Sequence, residues 1–107
     1  MRLDRRHKYG ARRTVVDGHS FPSAKEARRY GDLKLLERTG LISDLTLQPR
    51  FKLVVADELI CTYVADFSYV IENGERVVED SKGVQTDVFK LKRKLMRACL
   101  GIEVLIT

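Results

Sequence analysis

The chain has 107 residues, 44% of them hydrophobic and 33% charged, with a net charge of +5 and two cysteines. That length makes one domain, able to bury a core without disulfides or a structural metal. No apolar run approaches the roughly 20 residues of a membrane span and no signal-peptide pattern opens the chain; Cys61 and Cys99 match no metal spacing, so the expectation is a cytoplasmic protein with reduced core thiols and no membrane partner.

Charge is concentrated at the start. Residues 1–13 carry Arg2, Arg5, Arg6, Lys8, Arg12 and Arg13 against Asp4 alone, which equals the whole net charge of +5. Residues 14–107 hold equal numbers of each sign and read as a single domain. The first stretch has no apolar periodicity and is expected to be a basic flexible arm. Such an arm on a neutral body is an electrostatic footprint for a polyanion. The bland reading is a solubilising terminus.

Arg13-Thr14-Val15-Val16 reads as a short strand closed by the turn Asp17-Gly18. Phe21-Pro22 leads into a first helix. Ser23-Ala24-Lys25-Glu26 has the form of a capping box, with Ser23 as N-cap. The helix runs to about Thr39, and Gly40 supplies the left-handed stop. Glu26, Tyr30, Leu33 and Glu37 fall on one stripe at helical spacing.

Thr46 to Val55 is strand-like, with Pro49 arguing for an edge or a bulge. After the turn Ala56-Asp57-Glu58, the run Ile60 to Ile71 is rich in β-branched and aromatic residues and reads as a central strand. Glu72-Asn73-Gly74-Glu75 is a hairpin turn, followed by a strand from Arg76 to Lys82. Thr86 or Asp87 caps a second helix that ends near Leu100, before Gly101. Val88, Leu91, Leu95, Ala98 and Cys99 are expected to be its apolar face. Lys90, Arg93, Lys94 and Arg97 make the opposite stripe. Ile102 to Ile106 is a final apolar strand, parallel to the third if the crossover is right-handed. The fold class is α/β, in the order αβββαβ, with a central mixed sheet flanked by two helices.

Chemistry points to two adjacent strands. Asp80 and Lys82 share a strand face, since side chains alternate with period two. An acid and a lysine at a strand end are costly to bury unless paired or set against a metal. A hydrolytic centre would explain them, the acid holding Mg²⁺ and the lysine meeting developing negative charge. Asp66 lies mid-strand among apolar neighbours, one hairpin away. Two carboxylates on adjacent strands can hold one Mg²⁺ and leave positions for water and phosphate. Register decides whether they meet. A two-residue loop at Asn73-Gly74 puts Asp66 opposite Ser81, on the wrong face. A three-residue loop with Gly74 left-handed puts Asp66 opposite Asp80. Glu26 is either the reciprocal member of the capping box or a third acid facing the sheet. His7 and His19 lack partners at ligand spacing and read as solvated. The basic stripe of the second helix is a solvated face or a phosphate contact.

On these residues the chain resembles the PD-(D/E)XK nuclease superfamily, through Glu26, Asp66 and Asp80-x-Lys82 on the αβββαβ order of a restriction-endonuclease-like core. More closely, Ser23-x-x-Glu26-Ala27-Arg28-Arg29-Tyr30, Leu47-Gln48-Pro49, Tyr63-x-Ala65-Asp66-Phe67, Val78-Glu79-Asp80-x-Lys82-Gly83 and Lys90-Leu91-Lys92-Arg93-Lys94 resemble a family of small phage and prophage proteins in that superfamily. The resemblance covers about residues 8–107. The basic start, the first-helix glutamate and the D…D-x-K set are also similar to Holliday junction resolvases. Ala65 stands where the superfamily pattern has proline, and Glu79 adjoins the second acid.

The resemblance implies a Mg²⁺-dependent endodeoxyribonuclease, with Mn²⁺ as a substitute, acting on branched or duplex DNA in a bacterial host's cytoplasm. Asp66, Asp80 and Glu26 would form the metal site. Lys82 would position water or stabilise the phosphate, and Gln85 would orient either. The arm residues and Lys90, Arg93, Lys94 and Arg97 would contact DNA. A homodimer would supply two symmetric nicks. The other classes are a catalytically silent DNA-binding module and a phage interaction protein.

Overall fold

A computed structural model describes residues 13–107. The expected arm contacts Arg2, Arg5, Arg6, Lys8 and Arg12, and also His7, lie outside the described residues. β1 (Thr14–Val16) and β2 (His19–Phe21) form a hairpin. Its turn residues Asp17 and Gly18 both have positive φ, 53° and 79°, which matches the right-handed strand twist. The sequence indicated only the first of these strands. The second forms because Phe21 is buried and packs on Tyr30, with ring centroids 5.0 Å apart.

α1 (Ala24–Arg38) starts at Ser23, whose Oγ accepts the Glu26 N–H at 3.2 Å, and stops before Gly40 at φ 84°. Glu26, Ala27, Tyr30 and Leu33 face inward, as the stripe requires. Ala27, Tyr30 and Leu33 pack with Phe21, Ile42, Phe67 and Tyr69 to form one core. Full burial of each large side chain contributes about 1.5–3 kcal/mol.

The next four strands are β3 (Ile42–Leu47), β4 (Arg50–Val55), β5 (Glu58–Val64) and β6 (Phe67–Ile71). The expected long strands Thr46–Val55 and Ile60–Ile71 are each broken, at the same level. Pro49 has no N–H for the ladder, and Gln48 before it takes φ 49°. Opposite them the chain turns at Ala65-Asp66. The corner is laced by Gln48 N–H to Asp66 C=O at 2.9 Å and Ala65 N–H to Pro49 C=O at 3.1 Å. The outer halves, β4 and β5, become a separate two-stranded ribbon. Asp66 therefore sits at a corner and not in mid-strand.

β7 (Arg76–Asp80), α2 (Asp87–Leu100) and β8 (Leu105–Ile106) complete the chain. The main sheet runs β3-β6-β7-β8, antiparallel except for the β7–β8 pair. The last strand is parallel to the strand before the crossover, as expected, but is shorter than the expected Ile102–Ile106. The protein is thus α/β, with two helices and mixed sheet. No helix among the described residues is long and apolar enough to cross a membrane.

α2 begins at the Thr86 cap and ends at left-handed Gly101, φ 69°. Its inward face differs from the expected one. Phe89 and Met96 are buried, while Val88 and Leu91 are 62% and 57% exposed. Ala98 is exposed as well, and Leu95 and Cys99 are half-buried. The bent ribbon causes this rotation. It lays Leu53 and Tyr63 against the Phe89–Met96 side, forming a second core with Ala65, Val78 and Val104. Cys61 and Cys99 flank that core as free thiols.

Candidate active site

The β6–β7 turn has three loop residues. Ile71 N–H donates to Glu75 C=O at 3.0 Å, Gly74 N–H donates to Ile71 C=O at 2.9 Å, and Gly74 has φ 86°. Phe67 consequently pairs with Glu79 and Ser68 with Val78. One step on, Asp66 comes level with Asp80, the register that the metal-site reading required.

Asp80 is 1% exposed. The Tyr63 hydroxyl donates to its Oδ2 at 2.5 Å, and Lys82 Nζ lies 3.6 Å from the same oxygen. Lys82 is held over the Phe89 ring, 4.9 Å from its centroid. Asp66 Oδ2 accepts the Ser81 N–H at 2.7 Å. Burial raises the Asp66 carboxyl to about 7; the Ser81 bond opposes this, and the Asp80 and Glu26 charges add to it, with Asp80 also a hydrogen-bonding neighbour. Glu26 is raised too, first by burial and then by Asp80, while Lys82 and Arg13 pull it down. Three carboxylates therefore feel one another, with Lys82 beside them. Excess negative charge in a half-buried cluster favours protons or a cation.

The residues fit Mg²⁺ of the open kind, held by one or two carboxylates plus water and substrate phosphate. Asp66 and Asp80 each have Oδ2 engaged by a donor, which orients the carboxylate and leaves Oδ1 for a cation. No group of three or more His, Cys, Asp or Glu side chains that could hold a metal occurs among the described residues. Among the described residues the Glu26 carboxylate does not return a bond to the Ser23 N–H; only the Ser23 half of the capping box forms.

Glu79 has a different fate from its neighbour. It is fully buried on the α1 side, gripped by Arg29 through two bonds of 2.7 and 2.9 Å and by the Tyr69 hydroxyl at 2.6 Å. A carboxylate so compensated has little left for a cation, and Asp80 is the acid that pairs with Lys82. Tyr63 and Arg29 stand in the quoted motifs, but neither they nor Tyr69 were given a role from sequence. The one signal for the two tyrosines was that tyrosines in apolar runs, here on either side of Asp66, need a partner for the hydroxyl.

Gln85 does not join the acids. It lines a cavity of about 410 Å³ with Lys90, Arg93, Lys94, Arg97 and Glu103. The expected basic stripe thus faces one groove. Arg93 donates to the Val104 C=O at 3.1 Å, and Glu103 lies 3.7 Å from Arg93 and 3.4 Å from Arg97. The Arg93 Nε is buried with no acceptor among the described residues. Arg13 is exposed, and its Nε donates to Ser20 Oγ at 3.0 Å. His19 is exposed with its ring edge-on to Tyr30, centroids 5.7 Å apart.

Residues 6–101 match the model of a family described as "Protein of unknown function (DUF1064)". No curated protein and no solved structure matches the chain.

Proposed function

The chain belongs to the DUF1064 family, and for it we propose a metal-dependent endodeoxyribonuclease with a restriction-endonuclease-like core. The observation that carries the reading is the three-residue β6–β7 turn, which brings Asp66 level with Asp80 at the strand end that presents Lys82. The sheet order, with a parallel last strand after α2, suits that core.

Asp66 and Asp80 would hold Mg²⁺ through their free oxygens. When bound, the metal supplies a more acidic water and neutralises phosphate charge. Lys82 stands beside Asp80 to stabilise the added negative charge on the pentavalent phosphate. In the reaction the water oxygen bonds to phosphorus and the bond from phosphorus to one sugar oxygen breaks. The displaced oxygen takes a proton, leaving a phosphate monoester and a hydroxyl. Glu26, close enough to feel Asp80 and Lys82, tunes the charge of the site. The α2 groove, with Gln85 at its wall, holds neighbouring backbone phosphates.

Branched DNA is the proposed substrate. Two nicks placed symmetrically call for a two-fold dimer, and Val88 and Leu91 offer exposed apolar surface for one. The test is nicking of supercoiled plasmid, and of labelled duplex, flap and four-way junction, with Mg²⁺ and with chelator. Cleavage with metal only is expected. Binding without cleavage under every metal condition would leave a silent DNA-binding module and overturn the enzyme.

A further inference from the structure

A smaller cavity, about 120 Å³, opens beside Asp66. Its wall includes His19, Ser20 and Gln48 together with that acid. At about 30 Å³ per molecule it has room for a few waters. The lining, which also includes the apolar Phe21 and Leu47, carries a carboxylate, an amide, a hydroxyl and an imidazole that can bond such waters.

Gln48 stands out in this wall. Its φ of 49° lies in the left-handed region. The other non-glycine residues there, among those described, are Asp17, Asp44, Ala56 and Asp57. Aspartate tolerates that conformation, and Ala56 sits in the tight β4–β5 turn. Gln48 alone carries a long side chain in a slot that glycine would fill without strain. Its backbone N–H donates to the Asp66 carbonyl at 2.9 Å, so the corner holds residue 48 beside the acid, and both line the cavity. Strain kept at a cavity that a candidate catalytic acid shares points to use of the side chain.

We propose that Gln48 is a water-positioning residue, whose amide holds a water against the Asp66 carboxylate. This is the task expected of Gln85, which the fold turns into the α2 groove. An amide both donates and accepts, so it fixes the orientation of a water as well as its place. The proposal rests on the nuclease reading for the use of that water and on the cavity alone for its existence.

Two measurements test it. The first is a high-resolution crystal structure of the full chain. A water within hydrogen-bond distance of both the Gln48 amide and the Asp66 carboxylate is expected; a dry cavity, or water bound to neither, overturns the proposal. The second uses Gln48→Gly, which suits the backbone, beside Ala56→Gly, which relieves a left-handed residue elsewhere on the same hairpin. With Mg²⁺ and plasmid, Gln48→Gly should lower kcat about 10- to 100-fold with KM unchanged, and Ala56→Gly should leave kcat unchanged. Wild-type kcat in Gln48→Gly, or an equal loss in both variants, refutes the role. A wild-type protein that never cuts would sink the nuclease reading, while the crystal structure would still decide the water site.

Discussion

Replacing Gly74 by valine perturbs the site from a residue that touches no substrate. An added Cβ would meet nothing within 4 Å, so the cost is confined to the backbone. Gly74 holds φ 86°, which an L-residue takes at a cost of about 1–2 kcal/mol, with a β-branched one at the upper end. The chain can escape that cost by closing a two-residue loop. That slip would carry Asp66 from the level of Asp80 to that of Ser81 and turn it to the other face. Gly74→Val should therefore lower the melting temperature by roughly 4–16 °C, at about 4–8 °C per kcal/mol for a domain of this size. It should also lower plasmid nicking by more than the loss of folded protein explains. Gly74→Asn, which tolerates a left-handed backbone, should do much less on both counts. Thermal unfolding, with nicking rates at a temperature where every variant is folded, reads the two effects separately. A Gly74→Val protein that melts and cuts like wild type would refute the link between turn and register, and so would Gly74→Asn being equally damaging.

Asp66→Asn and Asp80→Asn should each abolish cleavage while leaving DNA binding intact or tighter, because uncompensated carboxylates repel phosphate; comparable cleavage by either variant removes that residue from the chemistry. Tyr63→Phe leaves a buried Asp80 oxygen without its donor, for about 1–3 kcal/mol of stability and roughly 10- to 100-fold in Mn²⁺ affinity by titration; an unchanged melting temperature and affinity would make the hydroxyl dispensable. The raised Asp66 carboxyl, at about 7, gives the metal-free protein a defined pH response. Between its unfolded value near 4 and about 7, the folded state binds more protons than the unfolded one, so this group's stabilisation is present at low pH and lost as pH rises. The urea midpoint in chelator should fall from pH 5 to pH 8 by a margin that either Asp66→Asn or added Mg²⁺ removes; identical pH profiles for the variant and wild type would count against it.

Local signals in the sequence were reliable where local chemistry decides the outcome. Ser23 and Thr86 cap their helices through their own hydroxyls, Gly40 and Gly101 end them, and Gly74 sets the turn. The pairing of Asp80 with Lys82 followed from period two. Outcomes decided by distant partners were not legible. Nothing in the uniform run from Ile60 to Ile71 marks the corner at Ala65-Asp66, because the break belongs to the hairpin as a whole and only Pro49 hinted at it. The inward face of α2 depends on which side the ribbon covers, and the helix carries apolar residues on both sides. Alternation separated Glu79 from Asp80, but it could not reveal Arg29 as the partner that occupies the former. Gln85 looked close to the acids along the chain, and the segment after Lys82 carries it into the α2 groove instead.

The corner in the long hairpin also sets where this chain tolerates changes of length. Two ladders meet there, and each counts residues outward from the same two backbone bonds, Gln48 to Asp66 and Ala65 to Pro49. An extra residue at the Ala56-Asp57 tip is absorbed beyond the last rung of β4 and β5, at the end of the ribbon away from the Asp66 corner. An extra residue between Asp66 and the β6–β7 turn instead advances every later side chain by half a pleat. Asp66 and Asp80 would then part company, and buried side chains of these strands, such as Phe67 or Val78, would turn off their core faces. Insertions at the Ala56-Asp57 tip are therefore expected to be silent, and a single insertion in β6 or β7 would cost both the pairing of the acids and part of the core.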